Sequence, residues 1–202
     1  MNLTHEQQAV AKAEIIKYRY VWEHCENYGV KHHDLDLWER VGIEYDFASE
    51  SNIIVLGCGD GSLVKYLHQQ DYNSFGIDIY EHPSWNGDSM FKKHALWNAL
   101  PKSKDNKKWN FAICADVMEH IPEILLPVVL KNINESCNNV LFQIAKMESN
   151  FGGYDLHPIK EDAGWWIEMM NVHMDGRSTI INDGAPAGRF VIDWLTSKLI
   201  GG

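Results

Sequence analysis

Residues 53 to 57 read Ile-Ile-Val-Leu-Gly, and the next four read Cys-Gly-Asp-Gly. A continuous apolar run of this length has no polar face to offer solvent. As a strand it has to be buried on both sides, an environment found almost only in parallel sheets covered by helices. Gly57, Gly59 and Gly61 then place a Gly-rich turn between that strand and a helix. Ser62 to Gln70 carries Leu63, Tyr66 and Leu67 at helical spacing, and Asn73 to Ile79 is again short and largely apolar, with Asp78 near its end. Strand, turn, helix and strand make a βαβ unit, for which a right-handed crossover is expected.

The same alternation runs on. Phe111 to Ala115 reads as a strand, Pro122 to Ile133 as a helix and Val140 to Ala145 as a strand. The tail offers a helix over Gly164 to His173, then strand-like segments at Ser178 to Asn182 and Arg189 to Trp194 around a Gly-Ala-Pro-Ala-Gly turn. This order predicts an α/β domain with a Rossmann-like, doubly wound, mostly parallel seven-stranded sheet and an antiparallel C-terminal hairpin. Ahead of it, Val10, Ala13, Ile16, Tyr20, Val21 and Cys25 recur at helical spacing over Thr4 to Asn27, with Thr4 and Gln7 placed as a capping box. A shorter helix is expected over Asp34 to Val41. The 202 residues divide accordingly into an N-terminal helical cover (1–48), a central α/β core (50–145) and a loop, helix and closing hairpin (146–202), all one domain.

Charge and cysteine content narrow the setting. Lys+Arg number 18 against 28 Asp+Glu, a formal net charge of -10. That is the wrong sign for long-range attraction to duplex nucleic acid or anionic lipid. The bases that cluster do so in one loop, Lys102 to Lys108, which reads as a solvated connection. Cys25, Cys58, Cys114 and Cys137 show no CxxC spacing, and two lie in or beside apolar runs, which suits a reducing compartment. No stretch approaches a membrane span. A cytoplasmic protein acting on a small molecule is expected, with no signal for an oligomeric state.

The Gly-rich turn and Asp78 belong together chemically. Glycine lets a ligand approach the backbone, the amides at a helix start favour electron-rich groups, and a carboxylate at the end of the next strand can accept from both hydroxyls of a ribose. A nucleoside-containing cofactor follows. A dinucleotide fingerprint needs its third glycine at position 62, which is Ser62; the glycine stands at Gly61. In Leu-Gly-Cys-Gly-Asp-Gly-Ser (56–62), Gly-Ile-Asp-Ile (76–79), Cys-Ala-Asp-Val-Met-Glu-His-Ile-Pro (114–122) and Val-Leu-Phe-Gln-Ile-Ala (140–145), the chain resembles class I S-adenosylmethionine-dependent methyltransferases. Leu-His-Pro at 156–158 with Trp165 and Trp166 also resembles a phage-encoded methyltransferase-like sub-group.

The resemblance implies S-adenosylmethionine as cofactor. It implies Gly57, Cys58, Gly59 and Gly61 beneath the methionine part, Asp78 on the ribose, Ile79 against the adenine, and Trp97 and Asn98 as aromatic wall and amino-group acceptor. Many members carry an acid two residues before the first glycine. Here that residue is Val55, so contacts to the methionine ammonium fall to Ala115 and Asp116.

Methyl transfer from a sulfonium asks mainly for positioning, plus a base when the acceptor carries a proton. Glu119 and His120 follow the strand at 111–115, at the sheet edge where ligands of open α/β folds bind, and His157 lies in the loop beyond the strand at 140–145. These three are the candidate catalytic residues. His32, His33, Asp34 and Asp36 are rich in ligand atoms, but nothing nearby completes a set, so no metal is expected. Two further readings remain open: a non-catalytic S-adenosylmethionine-binding module or partner subunit, favoured by Val55, and a nicotinamide-dependent oxidoreductase, disfavoured by Ser62.

Overall fold

The computed structural model of the protein describes residues 2–25, 28, 33–41, 51–181 and 188–195. Its helices are α1 (His5–His24), α2 (His33–Val41), α3 (Ser62–Gln69), α4 (Leu126–Ser136) and α5 (Ala163–His173). Its strands are β1 (Asn52–Leu56), β2 (Asn73–Asp78), β3 (Phe91–Lys93), β4 (Phe111–Ala115), β5 (Asn139–Ala145), β6 (Asn150–Phe151), β7 (Tyr154–Asp155), β8 (Arg177–Ile181) and β9 (Arg189–Leu195). Seven form one sheet in the order β3-β2-β1-β4-β5-β9-β8, while β6 and β7 pair in a small hairpin of their own. The first five strands of the sheet are parallel, and β9 runs antiparallel between β5 and β8. The doubly wound, mostly parallel sheet with its antiparallel closing hairpin is the architecture the apolar runs predict.

Burial on both faces is literal. From β1, Ile54 and Leu56 enter a core shared with Ala11 of α1, Val129 and Ile133 of α4, and Trp166 and Met170 of α5. Ile53 and Val55 enter the opposite core with Leu37 and Trp38 of α2 and Leu63, Val64 and Leu67 of α3. β4 divides in the same way, Ala112 and Cys114 on one side and Phe111, Ile113 and Ala115 on the other. Cys58, Cys114 and Cys137 are buried thiols outside any disulfide and fill small spaces in these layers.

Three elements differ from expectation. α1 stops at His24, short of Asn27, although its Thr4–Gln7 capping box forms in both directions at 3.0 and 3.2 Å. Its buried face also differs by a small rotation. Ala11, Lys17, Tyr18 and Val21 are covered, whereas Ile16 is 63% exposed and Tyr20 37%. α4 begins at Leu126, after a 3-10 turn over Glu123–Leu125, because Pro127 has no N–H to donate backwards and sits in the first helical turn, where none is needed. β3, with three residues at the sheet edge, is too short to show a period. The Gly-Ala-Pro-Ala-Gly turn lies, apart from Gly188, outside the described residues.

The strand order carries the functional consequence. The chain moves outward from β1 through β2 to β3, then returns to build β4 and β5 on the other side. The loops leaving β1 and β4 therefore diverge from adjacent strands at their carboxyl ends, and a crevice opens there.

Candidate functional site

That crevice is a cavity of about 360 Å³, in the size range of small-ligand sites. Its floor is the turn after β1. The Gly57 and Cys58 N–H groups donate to the Ile77 carbonyl at 2.8 and 3.0 Å, tying the turn to β2. Gly57 has φ +72°, and a Cβ there would lie 2.3 Å from Val117 Cγ2, so the loops after β1 and β4 touch because this residue has no side chain. Gly57, Cys58 and Gly59 line the cavity. Gly61 does not. It stands at the start of α3 with φ +81°, where a Cβ would meet the Phe91 ring at 2.4 Å, so its role is close packing.

Asp78, at the end of β2 and 8% exposed, faces the same space. Its Oδ2 accepts from the Gly59 N–H and its Oδ1 from the Tyr80 N–H, each at 3.1 Å. Burial nevertheless dominates those donors and raises its pKa to about 6. Each carboxylate oxygen retains acceptor capacity, and further hydroxyl donors would relieve the cost of its charge. Ile79, Ala95, Leu96, Trp97 and Ile121 add apolar walls. Asn98 is absent from this lining. The Asn132 side chain of α4 donates to the Leu96 and Asn98 carbonyls at 2.9 and 3.0 Å, a clamp that leaves the Asn98 side chain exposed. His94 lies in the wall instead, its Nε2 buried without a hydrogen-bond partner. No spacing in the sequence singles it out.

Ala115 and Asp116 also line the cavity. Asp116 has φ +53°, and both of its carboxylate oxygens lie 3.0 Å from Arg189 Nε at the start of β9. Sequence reasoning does not reach Arg189, because its partner is 73 positions away and the contact exists only once β9 inserts beside β5. Val55 is fully buried between β1 and α3, away from the cavity.

The remaining wall comes from α1 and the loop after β5. Glu14, Tyr18, Trp22 and Cys25 recur at spacings of three and four and line the cavity as one stripe. Trp22 stacks on Tyr80, ring centroids 5.6 Å apart. Opposite, Met147, Glu148, Ser149 and His157 contribute, while the tip of the β6–β7 hairpin rests against Tyr20. Trp165 and Trp166 are not in the lining; Trp166 is wholly buried in the core.

His120 and His157 meet edge to face, centroids 4.5 Å apart. His120 Nδ1 lies 2.7 Å from the Leu156 carbonyl and His157 Nδ1 2.7 Å from the Met147 carbonyl. A carbonyl oxygen can only accept, so each Nδ1 carries the proton and each neutral ring keeps its lone pair on Nε2. The Tyr18 hydroxyl is 2.9 Å from His120 Nδ1. Burial, followed by the neighbouring His157, pushes the His120 pKa down to about 3, and burial lowers that of His157 as well. Glu119, expected beside them as a reacting group, lies behind the cavity wall. It is fully buried, its Oε1 accepting from the Ala145 N–H at 3.0 Å and its Oε2 without a partner. Burial pushes its pKa well up.

Charge around the cavity is acidic: Glu14, Asp60, Asp78, Asp116 and Glu148 against Arg189. The lysines at 102–108 precede β4 and so lie at its amino end, the opposite edge of the sheet. These residues fit the cofactor that the sequence resemblance implies. A floor without side chains, a buried carboxylate awaiting hydroxyl donors and an apolar slot with Trp97 suit a nucleoside, and the ion pair suits a zwitterionic tail. Among the described residues, no helix is long and apolar enough to cross a membrane.

Comparison with known proteins agrees. Residues 35–177 match the family described as a methyltransferase domain. The chain is 25% identical over 91 residues to the ubiquinone biosynthesis O-methyltransferase of Rickettsia canadensis (strain McKiel), covering 43% of this chain and 39% of that protein. It spans about two fifths of the length of the curated relatives it matches. Among solved structures it is similar to DhpI in complex with SAH, with a TM-score of 0.67 and 11% identity over 92% of this chain and 96% of the other. It is also similar to the 1,6-didemethyltoxoflavin-N1-methyltransferase of Burkholderia thailandensis, with a TM-score of 0.57 and 15% identity over 96% and 89%. At such identities the structural likeness establishes the fold.

Proposed function

This chain belongs to the methyltransferase-domain family, and from that premise we propose that it transfers a methyl group from S-adenosylmethionine to a small-molecule acceptor. The observation that carries the reading is convergence. The Gly57–Gly59 turn, Asp78 and the 115–121 loop, separate in sequence, border one cavity at the switch point of the sheet.

Asp78 accepts from the ribose hydroxyls, and Ile79, Leu96 and Trp97 enclose the base. The Asp116–Arg189 pair takes the amino-acid end, carboxylate toward the guanidinium and ammonium toward the carboxyl group, in place of the acid that Val55 does not supply. When bound, the cofactor supplies a methyl group activated by its attachment to a sulfonium. Acceptor handling falls to the side of the cavity closed by Tyr18, His120 and His157. There the Nε2 lone pairs of the two imidazoles hold the acceptor and take up its proton, with His157 the better placed of the two, since the His120 pKa of about 3 makes it a weak base. The acidic lining and the lysine loop at the far edge support a compact acceptor over duplex nucleic acid.

Calorimetric titration with S-adenosylmethionine, its demethylated product and NAD tests the cofactor. Labelled methyl transfer into candidate small molecules then separates an enzyme from a binding module. Binding of NAD in preference to the sulfonium cofactor would overturn the proposal.

A further inference from the structure

Three groups that can each present a lone pair converge at one corner of the cavity. A ring nitrogen of His120, a ring nitrogen of His157 and a carboxylate oxygen of Glu119 all lie within 4.8 Å of one another. Both imidazoles spend their N–H on backbone carbonyls, of Leu156 and Met147, so neither neutral ring has a second proton to offer Glu119. Glu119 is 0% exposed and its Oε2 has no partner, which is costly for a buried polar atom and more so for a charged one. Acceptors crowded in this way repel unless a proton or a metal ion lies among them.

We propose that Glu119, His120 and His157 form a binding site for one first-row divalent transition-metal ion, a site that the sequence reading, which expected no metal, did not contain. Two imidazoles and one carboxylate are a ligand set suited to zinc, iron, cobalt or nickel, and poorly suited to magnesium, which prefers oxygen and keeps its water. Ligands at about 2.0–2.2 Å from a shared ion lie roughly 3–4 Å apart, so closure by about an ångström through side-chain rotation brings the three into place. The carbonyls on the two Nδ1 atoms already hold the rings as second-shell partners do around bound metals. His120 and His157 line the cavity whereas Glu119 lies behind it, so the ion would be held from the protein side with its open positions toward the acceptor space.

The binding site stands on side-chain geometry alone; its task, anchoring an acceptor oxygen and favouring its deprotonated form, rests on the methyltransferase reading. An Nε2 lone pair engaged by the ion is not at that moment a base, so the two uses are distinguishable.

Protein stripped with a chelator is titrated calorimetrically with zinc chloride, and separately with cobalt chloride while visible absorption is followed. Cofactor affinity is measured on every variant as a check of folding and of the methyltransferase reading. One equivalent of zinc is expected to bind, with cobalt giving a spectrum of imidazole ligation. Affinity should fall at least ~10-fold in His157→Ala and in the near-isosteric Glu119→Gln, stay unchanged in the exposed His68→Ala, and be insensitive to excess magnesium. If Glu119→Gln does not fold, His157→Ala and His120→Asn decide. The proposal is overturned by no stoichiometric binding, which would mean that a proton shared between Glu119 and an imidazole occupies this corner, or by binding that survives His157→Ala, which would place the ion elsewhere. Either result leaves cofactor affinity, and with it the functional reading, to stand or fall separately.

Discussion

Asp78→Asn sets function against stability at a single atom. The carboxyl pKa rises from 3.8 to about 6 because the group is buried. An acid whose folded-state pKa is raised holds its proton more tightly when folded. Its ionised form therefore weakens the fold above pH 6, and stability is regained as pH falls from 6 toward 4. About two units correspond to ~3 kcal/mol at pH 8. Asparagine is neutral throughout and removes that cost. Its single carbonyl oxygen, however, cannot accept from both the Gly59 and Tyr80 N–H groups, which returns about 1–2 kcal/mol. The variant should therefore be more stable than wild type by roughly 1–2 kcal/mol at pH 8, and the advantage should vanish near pH 5 and reverse toward pH 4. Cofactor binding moves the other way. Two hydroxyls lose a charged acceptor, about 2–3 kcal/mol or roughly 30- to 150-fold in affinity. Wild-type affinity should also decline below pH 6 as Asp78 protonates. Urea unfolding followed by circular dichroism at pH 8 and pH 5, with calorimetry on the same samples, reads both quantities. A variant less stable at pH 8 that binds cofactor as tightly as wild type would refute the reasoning.

Other perturbations probe the rest of the site. Gly57→Ala forces a Cβ against Val117 at φ +72°, so thermal melting should show a loss of about 1–3 kcal/mol, partly restored by Val117→Ala. Arg189→Met removes the cation paired with the mostly buried Asp116 carboxylate and leaves it the Gln143 amide, destabilising by roughly 2–4 kcal/mol, and should weaken S-adenosylmethionine far more than adenosine, which lacks the amino-acid end; equal losses for both ligands would remove the pair from the methionine subsite. Once an acceptor is known, His157→Ala should lower turnover ~10²-fold or more while cofactor affinity holds. Binding to a mixed-sequence DNA duplex should be weaker than micromolar at about 150 mM salt, measurable by fluorescence anisotropy, because the lysine loop and the cavity lie on opposite edges of the sheet.

Local information carried much of this protein. The unbroken run at 53–56 could only be a strand covered on both faces, and Ile53 and Ile54 do enter different cores. Thr4 and Gln7 marked the start of α1 through a contact spanning three residues. Gly57, Gly59 and Asp78 were legible as parts of one site, and all three line one cavity, because positive φ and a strand-end carboxylate are properties of single residues and of one βαβ unit. Where period alone had to choose a face, as on α1, it selected Ile16 and Tyr20 over Tyr18 and Trp22, since a ring lining a cavity and a ring in a core look alike in sequence.

Tertiary structure decided whatever depends on which distant segments become neighbours. Asn132 reaching back to the Leu96 and Asn98 carbonyls turned Asn98 outward and left the inner wall to His94 and Trp97. Arg189 found Asp116 only because β9 entered the sheet beside β5. Glu119, His120 and His157 came together only because the loops after β4 and β5 share the carboxyl edge of a parallel sheet. The division has a single cause. Helical period, backbone dihedrals and capping are settled by atoms a few residues apart, whereas strand order is settled by the packing free energy of the whole chain, and the switch point that opens the cavity exists only in that order.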